Sequence, residues 1–233
     1  MKKMTLITTI VIGLLTQTFA GEISGKISFE GKTPRMKKLK LEADPICVSN
    51  NEVPPAAEWL IVDKSGGVKN MIVSVKEGLS GSHNLPSEKV VLDQQGCVYR
   101  PHVLAVMAGQ VVDILNNDGI MHNVHALPKI NREFNKAMPK FKKKITTQFE
   151  NSEKPFKIKC DVHPWMIAYI GVFDHPFFAV TGDDGTYSIS GLSPGEYVIE
   201  AWHERLGTQT ATVTVGDGTT TADFTFKKPS KKK

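Results

Sequence analysis

Residues 102–127, HVLAVMAGQVVDILNNDGIMHNVHAL, decide the fold class. An apolar run from Val103 to Met107 stops at a Gly-Gln pair, and a second run, Val111 to Leu115, stops at Asn-Asn-Asp-Gly. Short β-branched runs closed by Gly, Asn and Asp are strands closed by turns. The same grammar extends both ways, through EISGKISFEG (22–31), VKNMIVSVKEG (68–78) and EKVVLDQQG (88–96) upstream and KITTQFEN (144–151) downstream. The last third, AVTGDDGTYSISGLSPGEYVIEAWHERLGTQTATVTVGDGTTTADFTF (179–226), adds Asp-Gly and Pro-Gly turns about every ten residues. That spacing belongs to β-sandwiches. Residues 130–144, INREFNKAMPKFKKK, hint at helix, which Pro139 would cut short. Met36 to Val62 is loop-rich, with EVPPAAEW (52–59) as an exposed connection. The expectation is an all-β protein of two packed sandwiches.

Composition narrows the setting. The opening MKKMTLITTIVIGLLTQTFA has two lysines, an apolar run and small residues, the layout of a secretory signal cleaved after Ala20. No apolar run reaches the ~18 residues of a membrane span. A periplasmic or otherwise exported chain is therefore expected. Without the signal, 27 basic residues face 24 acidic ones; without the tail KKPSKKK (227–233) the balance is 22 to 24. The alkaline character is a property of the tail, which is expected to be solvated and is able to touch an acidic partner or anionic lipid. No surface pattern of basic and aromatic residues suggests nucleic-acid binding.

Three cysteines, Cys47, Cys97 and Cys160, leave an odd thiol in an oxidising compartment. If Cys47 and Cys97 pair, Cys160 is left, inside CDVHPWM (160–166) with His163 and Met166 at three-residue steps. A thiolate, an imidazole and a thioether are the donors of a blue-copper site, which needs one more imidazole. His122, held at a strand end after the Asn-Asp-Gly turn, is placed to supply it. His125, three residues on, points to the opposite face of an extended chain, so only one of the two aims inward; His122 is favoured and His125 is the alternative ligand. Zinc would use two histidines and a thiolate but gains nothing from Met166. His102, five residues after Cys97, joins a second site only if Cys97 is not in a disulfide. His83, His175 and His203 read as surface or hydrogen-bonded residues, and Trp59 and Trp202 as core or edge packing. Individually, each ligand residue also has a bland reading: a buried inert thiol, a loop imidazole, a core methionine.

LNNDGIMHNV (115–124) followed some forty positions later by CDVHPWM resembles the cupredoxins, and the short C-x2-H-x2-M loop most resembles amicyanin. The resemblance runs from about residue 88 to 174 and includes YRPHVLAVMAGQVVDILNND (99–118). It implies a Greek-key β-sandwich holding one copper ion, Cu(I)/Cu(II), with His122, Cys160 and His163 as ligands and Met166 as a long axial contact. It also implies that Asn123 ties the two ligand loops together, and that His163 is the ligand nearest solvent. Met121, Pro164 and Trp165 would then form an apolar patch for a redox partner. DDGTYSISGLSPGEYVIEAWH (183–203) resembles the carboxypeptidase regulatory-like, or transthyretin-like, sandwich, which is architectural and implies no chemistry. The departures are the lysine-rich stretch PKINREFNKAMPKFKKK (128–144) between the ligand loops and the extra His125.

The expected organisation is a signal (1–20), an N-terminal β segment (21–84) that either extends the central sandwich or completes the C-terminal one, a cupredoxin domain (85–175), a second sandwich (176–226) and a basic tail (227–233). The expected function is that of an exported single-electron carrier with transient redox partners, not an enzyme. Copper storage, delivery or sensing is one alternative; a structural or adhesive protein with a vestigial site is another. HNVH (122–125) lacks the paired H-x-H of multicopper oxidases, a single ligand-loop cysteine weighs against the binuclear copper centre of terminal oxidases, and no nucleophile elbow supports a hydrolase.

Overall fold

The computed structural model describes residues 20–228; the signal reading, apart from Ala20, and the final lysines of the tail lie outside the described residues. The chain opens with β1 (Gly21–Glu30), a helical turn α1 (Pro45–Ser49) and β2 (Ile72–Glu77). The middle supplies β3 (Val90–Gln94), β4 (Tyr99–Arg100), β5 (Val103–Met107), β6 (Val112–Asn116), β7 (His122–Leu127), β8 (Phe134–Met138), β9 (Lys144–Thr147), β10 (Glu153–Lys159) and β11 (Ile167–Phe173). The rest supplies β12 (Phe178–Val180), β13 (Thr186–Leu192), β14 (Gly195–His203), β15 (Gly207–Val215), β16 (Thr219–Thr221) and β17 (Phe224–Lys227). The protein is all-β. No described helix is long and apolar enough to cross a membrane.

Two sandwiches are built, and one interrupts the other. β1 pairs with β13, β16 and β17, while β2 lies between β12 and β14 in the facing sheet β12-β2-β14-β15. The first two strands thus complete the sandwich formed by the last six. The middle strands form the sheets β5-β11-β10-β7-β8 and β4-β3-β6-β9. Ser74 of β2 faces Phe178 of β12, so the chain leaves for the inserted sandwich and returns from it at neighbouring places. β2 is buried at Ile72, Val73, Ser74 and Val75 without alternation, as befits a central strand covered on both faces. By contrast β14 alternates, turning Tyr197, Ile199, Ala201 and His203 inward.

Each sandwich has its own core. Leu92, Ile114, Ile158 and Ile170 centre the inserted one, and Ile23, Ile27, Val73 and Ile199 the other. Full burial of each such side chain stabilises by about 1.5–3 kcal/mol.

Two local expectations differ from the structure. Residues 134–138 form β8 rather than helix, paired against β7 from His122↔Met138 to Ala126↔Phe134. The loop around Cys47 contains α1, started by Asp44, whose Oδ1 accepts from the N–H groups of Ile46 and Cys47. Pro45 at the first helical position suits this cap, since it lacks the N–H that would go unbonded there.

What positions the site is the topology of the inserted sandwich. β6 and β7 belong to different sheets, so the Asn117–Met121 link crosses one end of the sandwich. β10 runs antiparallel to β7, which brings the 160–166 loop to that same end.

Candidate metal centre

His122 is the first residue of β7 and has no solvent exposure. Cys160 follows β10 directly, and its loop is closed by short-range bonds. The Cys160 N–H donates to Met166 O at 3.1 Å, and the Met166 N–H donates to His163 O at 2.9 Å. The His163 N–H donates to Cys160 Sγ at 3.4 Å, a bond that favours the thiolate. Met166 is fully buried in the core beside Cys160.

These elements bring His122, Cys160 and His163 together. His122 Nδ1 lies 2.9 Å from His163 Nδ1, and Cys160 Sγ lies 3.8 Å from His163 Nδ1. All three donor atoms lie within 4.8 Å of one another. Ligands bound about 2.0–2.3 Å from one ion stand roughly 2.9–3.8 Å apart at angles of about 90–120°. The spacing therefore fits a single shared ion.

The outer nitrogens of the two rings explain which atoms face inward. His122 Nε2 bonds Asp118 Oδ2 at 2.8 Å, and His163 Nε2 bonds Asp44 Oδ2 at 3.3 Å. A carboxylate accepts only, so each Nε2 carries the hydrogen and each Nδ1 is a bare lone pair. Two lone pairs and a sulfur then converge in a buried space, an arrangement that requires a cation, either a proton or a metal ion. The donor set is one thiolate and two imidazoles, with Met166 buried in the same core, and nitrogen and sulfur donors of this kind suit copper rather than calcium or magnesium.

Electrostatics follow the same geometry. Burial pushes the Cys160 thiol up, but the His122 and His163 imidazoles and the bonds from the Asn123 and His163 groups bring it down to about 6. Burial opposes a charged His122, yet Asp118 and Cys160 hold its pKa above the ordinary value. Burial also raises Asp44, and the Ile46 and Cys47 N–H groups together with His163 outweigh it and hold the carboxyl low.

Asn123 links the two ligand loops. Its Oδ1 accepts from the Asp161 N–H at 2.7 Å and from the Val162 N–H at 3.3 Å, and lies 3.3 Å from Cys160 Sγ. Its Nδ2 donates to Asn135 Oδ1 at 2.6 Å and Asp161 Oδ2 at 3.1 Å. His125 points away from the three donors, bonding Asp161 at 3.0 Å and Glu133 at 3.1 Å. His102 bonds Glu204 Oε1 at 2.6 Å and Ile167 O at 3.0 Å, and forms no second site with Cys97, which is in a disulfide. Cys47 and Cys97 form a disulfide, and Cys160 is the one free cysteine.

His163, at 2 % exposure, is the least buried of the four expected ligands, with Asp44 bonded to its outer nitrogen. One placement differs from the expectations. Trp165 is turned inward: its Nε1 donates to Cys97 O at 3.0 Å and its ring lies 5.2 Å from that of His163. It lines a cavity of about 110 Å³ at the junction of the two sandwiches, together with Tyr99, His102, Trp59 and Arg205. Met121 and Pro164 do face solvent. Of the two readings left open for His175 and His203, the hydrogen-bonded one holds: both are buried, His175 Nδ1 accepts from the Phe177 N–H, and His203 Nδ1 accepts from the N–H groups of Arg205 and Leu206.

Asp118 and Asp44 are functional positions that the sequence did not disclose. Asp118 also accepts from the N–H of Gly96 at 2.5 Å and of Cys97 at 2.8 Å. Gly96 and Cys97 have φ of 68° and 54°, so their N–H groups turn together toward one carboxylate. A cysteine in this left-handed region is disfavoured by about 1–2 kcal/mol, which the disulfide and Asp118 together offset. The only sequence signals were an Asp four residues before His122 and an Asp-Pro helix start three residues before Cys47.

No protein-family model and no curated protein matches the chain. Among solved structures, a purple cupredoxin from Nitrosopumilus maritimus is 20% identical over 36% of this chain and 98% of its own, with a TM-score of 0.30. A mutant of amicyanin with Cu(I) is 20% identical over 43% of this chain and 97% of its own, with a TM-score of 0.33. A copper-containing nitrite reductase from Thermus scotoductus SA-01 is 21% identical over 43% of this chain and 25% of its own, with a TM-score of 0.31.

Proposed function

We propose that the chain is an exported electron carrier of the cupredoxin kind, holding one copper ion, and not an enzyme. His122 Nδ1, His163 Nδ1 and Cys160 Sγ are the ligands, and the Met166 thioether is a weak axial donor. The observation that carries this reading is the convergence of two bare imidazole nitrogens and the only free cysteine in one buried pocket. Copper bound there supplies a one-electron couple, Cu(I)/Cu(II).

The chain's own residues do the rest. Asp118 and Asp44 hold the two rings in the tautomer that leaves Nδ1 free, a known means of orienting metal-binding histidines. Asn123 and the bonds within residues 160–166 hold the sulfur against two sheets, so the donor positions are the same whichever oxidation state they meet. Burial of all four side chains, each 2 % exposed or less, excludes water. A storage or delivery protein needs donors open to exchange, whereas these are enclosed.

Copper loading followed by oxidation tests the proposal. An intense visible band from thiolate-to-copper charge transfer is expected, lost in Cys160→Ser and kept in Cys47→Ser. A colourless oxidised protein with one equivalent of tightly held copper overturns the electron-carrier reading.

A further inference from the structure

The ligand end of the inserted sandwich carries exposed side chains that the proposed function does not use. Nine large hydrophobic side chains are exposed among the described residues, and five belong to the segments that enclose the donors: Ile46, Val48, Met121, Phe141 and Val162. Ile46 and Val48 are on α1, which Asp44 ties to His163 and whose C-terminal Asn50 Nδ2 donates to Asp118 O at 3.1 Å. Met121 immediately precedes His122, and Val162 immediately precedes His163.

Phe141 arrives by a different route. It is 81% exposed, at the turn between β8 and β9. Asn116 fastens that turn to the ligand end: its N–H donates to Lys143 O at 2.9 Å, and its side chain donates to Met138 O and to Ile120 O, each at 2.8 Å. The β7–β8 register places Met138 opposite His122, so Pro139 onward continues past the end where Met121 stands. Isolated exposed apolar residues need no explanation, but a concentration of them around one site marks an interaction surface.

The turn that carries Phe141 is positive. Lys140, Lys142 and Lys143 flank Phe141, are exposed, and have no ion-pair partner among the described residues. The carboxylates nearest the donors are already paired: Asp118 and Asp44 are bonded to imidazoles, and Asp161 is held by Lys159 at 2.7 Å and by His125. This positive charge is local, because the mature chain without its tail has 22 basic residues against 24 acidic ones.

We propose that the ligand end, with Met121 and Phe141 as apolar anchors and Lys140, Lys142 and Lys143 as a basic rim, is the docking surface for an acidic protein. The proposal rests on the electron-carrier reading, which supplies the reason for a partner to approach at this end. Lysines on the rim would steer encounter and the apolar centre would hold the complex, the division typical of short-lived interfaces. An anionic bilayer would engage the Lys-Phe-Lys turn, but a single phenylalanine buries little apolar area and leaves the apolar residues of α1 and the 160–166 loop without a role.

The test uses the mature chain kept reduced, with an acidic c-type cytochrome and, separately, phosphatidylcholine–phosphatidylglycerol vesicles as probes. Amide shifts on adding the cytochrome are expected in residues 46–48, 119–122, 139–143 and 161–164. Association is expected to slow with added salt, and to slow about tenfold or more in the Lys140→Glu, Lys142→Glu, Lys143→Glu triple variant. Phe141→Ala should shorten the lifetime of the complex, and truncation after Phe226 should leave both measures unchanged. Shifts elsewhere, an unaltered triple variant, dependence on the tail, or binding to the vesicles through the same turn with none to the cytochrome overturns the proposal. These shifts do not need colour or electron transfer, so a colourless protein that shows them refutes the electron carrier and leaves the surface standing.

Discussion

Asp118→Asn separates a carboxylate that merely fills a turn from one that sets the metal site. Asp118 is buried, its side chain 2 % exposed, and receives hydrogens from Gly96 N, Cys97 N and His122 Nε2. Asparagine has the same shape but exchanges one accepting oxygen for a donating NH2. If the amide oxygen keeps the position facing Gly96, the NH2 opposes the Cys97 N–H and the His122 Nε2–H. A buried donor left without an acceptor costs about 1–3 kcal/mol, and here the donor is the amide of a residue already in a disfavoured backbone region. The histidine can escape by moving its hydrogen to Nδ1, but that blocks the nitrogen facing His163. Loss of such a partner typically weakens metal binding about 10–100-fold. The expected outcome is therefore a copper-free protein less stable by about 2–3 kcal/mol in urea unfolding, with copper affinity lowered about 10–100-fold in chelator competition. Hydrogen exchange should locate the damage at the Gly96 and Cys97 amides. Stability within about 0.5 kcal/mol of the parent, together with copper affinity within about twofold, would refute the tautomer argument.

Removing the disulfide by Cys47→Ser with Cys97→Ser should lower unfolding free energy by about 4 kcal/mol, because the bridge spans 50 residues; a loss below about 1 kcal/mol in the same urea titration refutes that estimate. His203 is buried and neutral, with burial depressing its pKa from 6.5 to about 4, so its contribution is intact above the unfolded value and declines as pH falls from 6.5 toward 4. That decline should reach about 3 kcal/mol, and thermal unfolding followed against pH should lose this slope in His203→Gln. At Gly67 a Cβ would stand 1.9 Å from the backbone O of Asp184, so Gly67→Ala should cost about 3 kcal/mol or more and lower Tm; an unchanged Tm would show that the two turns are free to separate.

Strand-forming stretches were readable wherever one face is buried, as in β14, whose alternation of GEYVIEAWH shows in the burial of Tyr197, Ile199 and Ala201. That alternation also placed His203 inside, a consequence hidden by reading histidines by residue type alone. The false helix at 130–144 has a specific cause. Ile130, Phe134 and Met138 repeat every four residues, and a four-residue step returns to the same face of a helix and of a strand alike. Only pairing with β7, unavailable to local pattern, distinguishes the two. The destination of β1 was likewise open, because parallel pairing with β16 and β17 joins residues about two hundred positions apart.

The donors His122, Cys160, His163 and Met166 could be nominated because spacing and residue chemistry are local properties. Their supports could not, since each carboxylate that holds a ring performs a second, local task that accounts for its presence. Asp44 uses Oδ1 to start α1 and Oδ2 to reach His163, 119 positions away. Asp118 uses Oδ1 for the Gly96 N–H and Oδ2 for both Cys97 and His122. An Asp-Pro helix start and an Asn-Asp-Gly turn are satisfactory readings of these residues, and so they conceal the other half. The disulfide joins the two halves in space: Cys47 begins three residues after Asp44, and the Cys97 N–H rests on Asp118. One covalent bond thus holds together the segments that carry both carboxylates. It follows that the double serine variant should loosen His163 and His122 as well as the fold, and that Asp44→Asn should loosen His163 alone while the disulfide stays intact.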